Sequence, residues 1–398
     1  MTKHEIKNIT FVLDGYPYNG SSSCVFARNL IVAIADIGIN CTVITPQIIT
    51  PGKLKKRSIP YFHNDISPDG NIIPVYAPMY VYFPASSGLT KLSMNNHYNA
   101  VLRTMKKEKI NVDAIYGHFI FQCGLTVSRI GKELNIPSFL GAGESDKLMP
   151  GNKRNHGVYE LGVKSLNWQK YLAKLSGIIC VSEWTKKLLF DNGFLSNDQA
   201  ENTVVFPNGV NQELFCPADK KMLREKLGLP ESDFITLFVG AFNDNKGVLR
   251  VSEALKMTPD VKSVFLGGGS LLPDCNGILF CGSCSNSSVA KYMQAADCFI
   301  LPTKSEGCCN AILEALSCGL PVISSDLPFN DGILNDSNSI LIDPERIDSI
   351  SDAIKTLKND LVYRESLSEG AVSFSKNLGI EKRAEKIVRF MSEVTEQC

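Results

Sequence analysis

The segment from Cys298 to Ile323 constrains the fold of this chain more than any other. It opens with Cys298-Phe299-Ile300-Leu301, an apolar run short enough for a fully buried strand. A polar, glycine-bearing turn follows, and then Ile312, Leu313, Ala315 and Leu316 recur at helical spacing until Cys318-Gly319 and Pro321 end the helix. Asn310 has the chemistry of an N-cap. That choice leaves the backbone N–H groups of the first turn, around Cys308, Cys309, Asn310 and Ala311, without internal partners and aimed at the turn. A helix start of this kind holds anions, and a nucleotide diphosphate suits it.

Two carboxylates beside a diphosphate repel it, so Glu306 and Glu314 need another partner. Hydroxyl groups supply one, because an ionised carboxylate accepts from two adjacent O–H donors. On this reading Glu314, in the first helical turn, takes the ribose, and Glu306, on the preceding loop, takes the transferred sugar. The same glutamates also read as a helix-start charge and a solvated loop residue.

The stretch from Ser305 to Ile323 resembles the glutamate-seven-residues-glutamate signature of the retaining GT-B glycosyltransferases, in particular the large family four. Weaker features of that family extend over nearly the whole chain. The resemblance implies an α/β protein with two Rossmann-like parallel-sheet domains facing across a cleft. It also implies transfer of a sugar from a UDP- or GDP-sugar to a hydroxyl of a glycan, lipid-linked or small-molecule acceptor, with retained configuration and without a metal.

At 398 residues the chain has room for two domains, and 41 basic against 41 acidic residues give no global field that points to nucleic acid. No 18-residue apolar stretch suggests a membrane span, and no signal sequence opens the chain. The thirteen cysteines then read as free thiols of a cytoplasmic protein. Cys281 and Cys284 lack the second spaced pair that a structural zinc requires. The run Lys53-Leu54-Lys55-Lys56-Arg57, with the apolar and aromatic stretch Ile72–Pro84, fits a solvated loop before extended strands. A second reading is contact with an anionic membrane surface or a lipid-linked acceptor, which the prolines of the stretch, suited to packed extended strands, favour less.

Ile9–Leu13 reads as a strand, with a polar loop to Ser21, a helix from about Ser22 to Ile37, and a second strand, Cys41–Thr45. In such βαβ units ligands sit at the carboxyl ends of the strands. Gly20 is a turn residue on its own chemistry. The family has two glycines here near the donor phosphates, and only Gly20 is carried over, because Asn19 holds the other position. Asp113–Tyr116 reads as a strand running into Gly117-His118, followed by a helix from Gln122 to Leu134. A lone histidine is ordinarily structural, but the resemblance gives His118 a contact to the transferred sugar. Glu144 and Asp146, past the next strand, are candidates to face the acceptor or the sugar.

The first domain is expected to span residues 1–202 and the second 203–379, with a last helix in 380–398 packing back on the first. In the second domain, Phe234–Val239 leads through Gly240-Ala241 to Lys246, which opens a helix and neutralises charge on the leaving diphosphate. The family has an arginine where this chain has Ala241. Gly267-Gly268-Gly269 is a turn where backbone can approach a ligand, and Gly282 and Ser283 end a strand where the family seats the nucleobase. Two rival classes remain open: an epimerase on the same fold, and a binder of sugar nucleotides without catalysis.

Overall fold

A computed structural model describes residues 6–19, 23–49, 59–83, 87–145 and 168–397. The chain forms two compact units, one of residues 1–207 with 380–398 and one of residues 208–379.

Short β-branched and aromatic runs build the first unit's strands: β1 (Asn8–Val12), β2 (Asn40–Ile44), β3 (Gln47–Ile49), β4 (Phe62–Ile66), β5 (Ile72–Tyr76), β6 (Met79–Val81), β7 (Ala114–His118), β8 (Ser138–Ala142), β9 (Gly177–Cys180) and β10 (Thr203–Val205). Eight of them form one sheet in the order β10-β9-β8-β7-β1-β2-β5-β4, while β3 pairs with β6 alone. Pairing in the large sheet is parallel except for the edge strand β4, which runs antiparallel to β5. Parallel strands are covered on both faces, which is why β7, β8 and β9 are buried along their whole length. The helix Ile380–Gln397 places Ile380, Ala384, Ile387, Met391 and Val394 along one stripe, in the core beside Phe139 and Ile179. The sequence boundary at Asn202 falls too early: β10 pairs with β9, Thr203 opposite Ile178, so the first unit continues to Pro207.

The second unit has a six-stranded, wholly parallel sheet of β11 (Ile235–Val239), β12 (Lys262–Leu266), β13 (Ile278–Gly282), β14 (Cys298–Leu301), β15 (Val322–Ser325) and β16 (Ser339–Ile342), in the order β13-β12-β11-β14-β15-β16. Its core includes Leu237, Phe265, Phe299, Ile323, Leu313 and Leu316, all without exposure. Each such side chain contributes about 1.5–3 kcal/mol relative to an exposed one. One charge cluster, buried at Asp297 and Arg224 and exposed at Lys220, locks the sheet's amino edge. Asp297 accepts from Arg224 Nη2 at 2.6 Å, Lys220 Nζ at 2.9 Å and the Ile235 N–H at 2.7 Å.

Candidate functional site

From β11 the second sheet grows to one side through β12 and β13, and then to the other through β14, β15 and β16. The carboxyl ends of β11 and β14 flank this topological switch point, the place where open α/β sheets bind ligands. Lys246 lies on the segment after β11 and Glu306 on the segment after β14, and they meet, with Nζ donating to Oε1. Thr303 Oγ1 donates to the same oxygen at 2.7 Å. Asn245 Nδ2 braces the turn through Thr303 Oγ1 at 3.3 Å and Ser305 O at 3.2 Å.

The Lys246 and Glu306 side chains are only 21% and 14% exposed, so salt screens the pair less than a surface one. Burial alone would lower the Lys246 pKa. The charges of Cys309 and Glu306, with the Glu306 hydrogen bond, outweigh it and hold the ammonium above its ordinary range. Burial also pushes the Cys309 thiol up to about 12, so near neutral pH Glu306 is the anion that holds the ammonium. Lys246 does not open a helix. Gly247, at φ 79°, is the N-cap of the helix Val248–Lys256, and a Cβ there would sit 2.7 Å from Pro302 O. Glycine thus lets the Lys246 turn press against the segment after β14.

The helix after that segment is Asn310–Ser317, with Cys309 at its N-cap and no side chain capping it. Asn310 is the first helical residue rather than the cap, because its Oδ1 accepts from Asn208 Nδ2 at 2.8 Å. Ile312 and Leu313 N–H return to Cys309 O at 3.1 and 3.2 Å, and the Asn310 and Ala311 amides precede the first intrahelical acceptor. Glu314 falls in the second helical turn, not the first. It is half-buried, and burial pushes its carboxyl up to about 8 with no cation to offset it.

Gly282 ends β13, and the exposed Ser283 donates from Oγ to Gly267 O at 3.0 Å. The glycine turn approaches backbone rather than open space. Gly269, at φ 156°, bridges Phe242, and a Cβ on it would lie 2.3 Å from Phe242 O. Its glycine therefore serves to seat the turn against the loop after β11.

In the first unit His118 is the last residue of β7 and is 3% exposed, its ring 4.5 Å from Phe119 and 5.1 Å from Phe26. Burial, helped by the charge of Arg383, pushes its pKa down to about 3, so it is neutral at physiological pH. Glu144 is buried, not presented at a surface. Its Oε1 accepts from the Ile120 N–H while Oε2 has no partner, and burial raises it to about 7. That carboxylate straps the turn after β7. Gly20, Asp146 and the basic run Lys53–Arg57 lie outside the described residues.

Residues 219–374 match the sequence profile of the family described as Glycosyl transferases group 1. TuaC of Bacillus subtilis (strain 168), described as a teichuronic acid biosynthesis glycosyltransferase, is 28% identical over 359 residues, 87% of each chain. The Escherichia coli UDP-Gal:alpha-D-GlcNAc-diphosphoundecaprenol alpha-1,3-galactosyltransferase is 32% identical over 203 residues, 46% of this chain and 52% of that one. Sucrose-phosphate synthase from Thermosynechococcus elongatus superposes with a TM-score of 0.79 at 18% identity, over 98% of this chain and 100% of that one. The fold is GT-B, and the matches support a group 1 glycosyltransferase.

The span that matches the group 1 glycosyltransferases holds Lys246, Gly282, Ser283, Glu306, Cys308, Cys309, Asn310, Ala311 and Glu314, whereas His118 and Glu144 lie outside it. Thr303, Asn245 and Asn208, which hold the Glu306 turn and Asn310, are neighbours of the candidate groups that sequence reasoning missed. Their signal was position alone: Thr303 and Asn245 stand within three residues of a candidate group. Among the described residues no helix is long and apolar enough to cross a membrane.

Proposed function

We propose that this group 1 glycosyltransferase moves a sugar from a nucleotide diphosphate sugar to an acceptor hydroxyl, with retained anomeric configuration and no metal in the transfer step. The observation behind it is the Lys246–Glu306 pair at the switch point beside a helix start that no side chain caps. Lys246 and the Asn310 and Ala311 amides hold the departing diphosphate, where preorganised donors stabilise developing charge. Glu306 accepts the sugar hydroxyls as a carboxylate, and Glu314, which holds a proton near neutral pH in the free chain, accepts the ribose hydroxyls once the bound donor displaces that proton. His118, neutral by burial, acts through hydrogen bonding and not proton exchange. The acceptor oxygen attacks the face that the diphosphate leaves, and the leaving phosphate takes its proton.

A UDP-sugar is the first donor to test. The E. coli relative is named for UDP-Gal, and one complex of Anabaena HepE, TM-score 0.68 at 16% identity over 97% of this chain and 99% of that one, holds UDP-glucose. The same relatives suggest a cell-envelope glycan or a lipid-linked acceptor. Peripheral contact with a membrane surface would serve that acceptor. The test is release of free UDP or GDP from a panel of donors, with chelator present, by the native chain and by Lys246→Met. Release that depends on Lys246 and survives the chelator supports the reading. Donor binding without release would favour the non-catalytic binder, a reading that Ala241 and the resting neutralisation of Lys246 favour.

A further inference from the structure

The first sheet has its own switch point. From β1 it grows through β2 to one side and through β7, β8, β9 and β10 to the other. Asp14 stands two residues past β1 and Cys123 in the turn past β7. The helix Thr90–Lys107 brings His97 to the same place. The Asp14 carboxylate, a His97 ring nitrogen and Cys123 Sγ all lie within 4.8 Å of one another.

We propose that Asp14, His97 and Cys123 form a binding site for a thiophilic divalent cation of the Zn2+ type. Cys123 Sγ already donates to Asp14 Oδ1 at 3.1 Å. His97 is fully buried, with Nδ1 2.8 Å from Thr126 Oγ1 and Nε2 without any partner. An imidazole held at one nitrogen, with the other left to give its lone pair, is how proteins present histidine to a metal. A buried nitrogen without a partner is otherwise a net loss. The ring is fixed further by Tyr80, which meets it edge-on at 5.1 Å and donates to Gln122 Oε1 at 2.7 Å.

Tetrahedral Zn2+, with bonds of about 2.0–2.3 Å, places its ligand atoms roughly 3.2–3.6 Å apart, so side-chain adjustment alone closes the site. Sulfur, imidazole and carboxylate together suit zinc better than magnesium or calcium. On binding, Cys123 gives its proton to solvent, and thiolate and carboxylate balance the two positive charges of the ion. Asp14 keeps open residue surface, which gives the ion its way in, although burial around its carboxyl raises the group to about 6; water completes the fourth position. The ion plays no part in the transfer chemistry proposed above. It ties the loop after β1, the helix Thr90–Lys107 and the turn after β7 into one piece.

The test is titration of the full-length, chelator-treated, reduced chain with Co2+, followed by optical absorption. Thiolate bound to cobalt gives charge-transfer bands in the near ultraviolet, and Zn2+ displaces the signal. One equivalent should bind and raise the melting temperature. Cys123→Ser should abolish the near-ultraviolet band. Thr126→Val, which disturbs only the imidazole's second nitrogen, should weaken binding about 10–100-fold. Asp14→Asn, at an exposed position, should weaken it at least as much and keeps the test valid where the Cys123 variant does not fold. Cys281→Ser with Cys284→Ser should change nothing. Absence of the band in the native chain overturns the proposal, as does its survival undiminished in Cys123→Ser or Asp14→Asn.

Discussion

Replacing Glu314 by glutamine separates stability from donor binding, because the two should move in opposite directions. Burial raises the Glu314 pKa from 4.5 to about 8. Between those values the unfolded carboxyl has lost its proton and the folded one keeps it. The folded state therefore binds more protons, and stability falls as pH rises through that window. At about 1.4 kcal/mol for each pH unit, the loss reaches roughly 3 kcal/mol at neutral pH and levels off near 5 kcal/mol above about pH 8. Glutamine has the same shape and nothing to ionise. Urea unfolding of Glu314→Gln and the native chain should give equal stabilities near pH 4. A gap of about 3 kcal/mol in the variant's favour should open at neutral pH and widen in mild alkali. A gap that stays constant across this range would refute the assignment of the shift to desolvation. Donor binding should go the other way. Above about pH 8, where Glu314 is ionised, its carboxylate accepts from both ribose hydroxyls, and losing these charged hydrogen bonds costs about 1–3 kcal/mol, roughly 5- to 150-fold in donor Kd. Near neutral pH the loss is smaller, because the donor must first displace the Glu314 proton. Calorimetry with a UDP-sugar measures it, and an unchanged Kd removes Glu314 from the site.

Lys246→Met should lower nucleotide diphosphate release about 100- to 1000-fold, the usual effect of removing one preorganised charge donor, read in a steady-state release assay. Glu306→Gln should tighten UDP or GDP binding while slowing turnover, because Lys246 then keeps its full charge on the product; weaker product binding would refute the pairing. Asp297→Asn should cost about 3–5 kcal/mol, because it strands the buried Arg224 guanidinium without its counter-charge. Burial pushes the Asp297 pKa up, but Lys220, the Ile235 N–H and Arg224 together hold it below its usual value. Its contribution is thus present above about pH 4 and disappears as pH falls through the folded value, where urea melts of variant and native chain should converge. His118→Gln should leave the shape of the kcat–pH profile unchanged across about pH 5–9, since His118 is already neutral throughout.

Strand positions were legible because a buried parallel strand needs a short unbroken apolar run, and Cys298–Leu301 and Ile235–Val239 are such runs. Once those strands are placed, loops that leave their carboxyl ends must share one edge, so Lys246 and Glu306 could be assigned to one region before any coordinates. Their direct pairing was not legible, because it depends on which way two long side chains turn across 60 residues of sequence. Asn310 misled for a related reason: an asparagine at a helix start caps it unless another partner claims the side chain, and Asn208 lies 102 residues away. The turn after β7 was invisible. Phe119 at φ 69° and Gln122 at φ 59° occupy backbone regions that no sequence rule assigns to those residue types, and the expected helix from Gln122 begins at Leu125 instead. The domain boundary slipped because β10 reads locally as any short strand, and only its pairing with β9 shows to which sheet it belongs.

Among the described residues, the cations at the switch point favour a route of the proposed chemistry through Lys246. Ala241 stands where the family resemblance would place an arginine, and two nearby cations are already committed. Arg250 donates to Asp244 Oδ1 at 3.0 Å and to Pro302 O at 2.9 Å, while Lys304 pairs with Asp244 at 3.2 Å and Glu345 at 2.5 Å. Each is held by groups that fix the turn, so withdrawing either to meet a phosphate would unpin the segment that positions Glu306. Lys246 differs. Its ammonium has three donors, and a single carboxylate oxygen of Glu306 takes one of them, leaving geometry for a phosphate oxygen without breaking the pair. Glu306 then sets how strongly Lys246 pulls: a neutralised lysine binds the donor less tightly than a bare one, and it also releases the nucleotide diphosphate more readily. Because charge on that group grows as the glycosidic bond breaks, attraction to Lys246 rises most in the transition state, and only such differential attraction speeds the reaction.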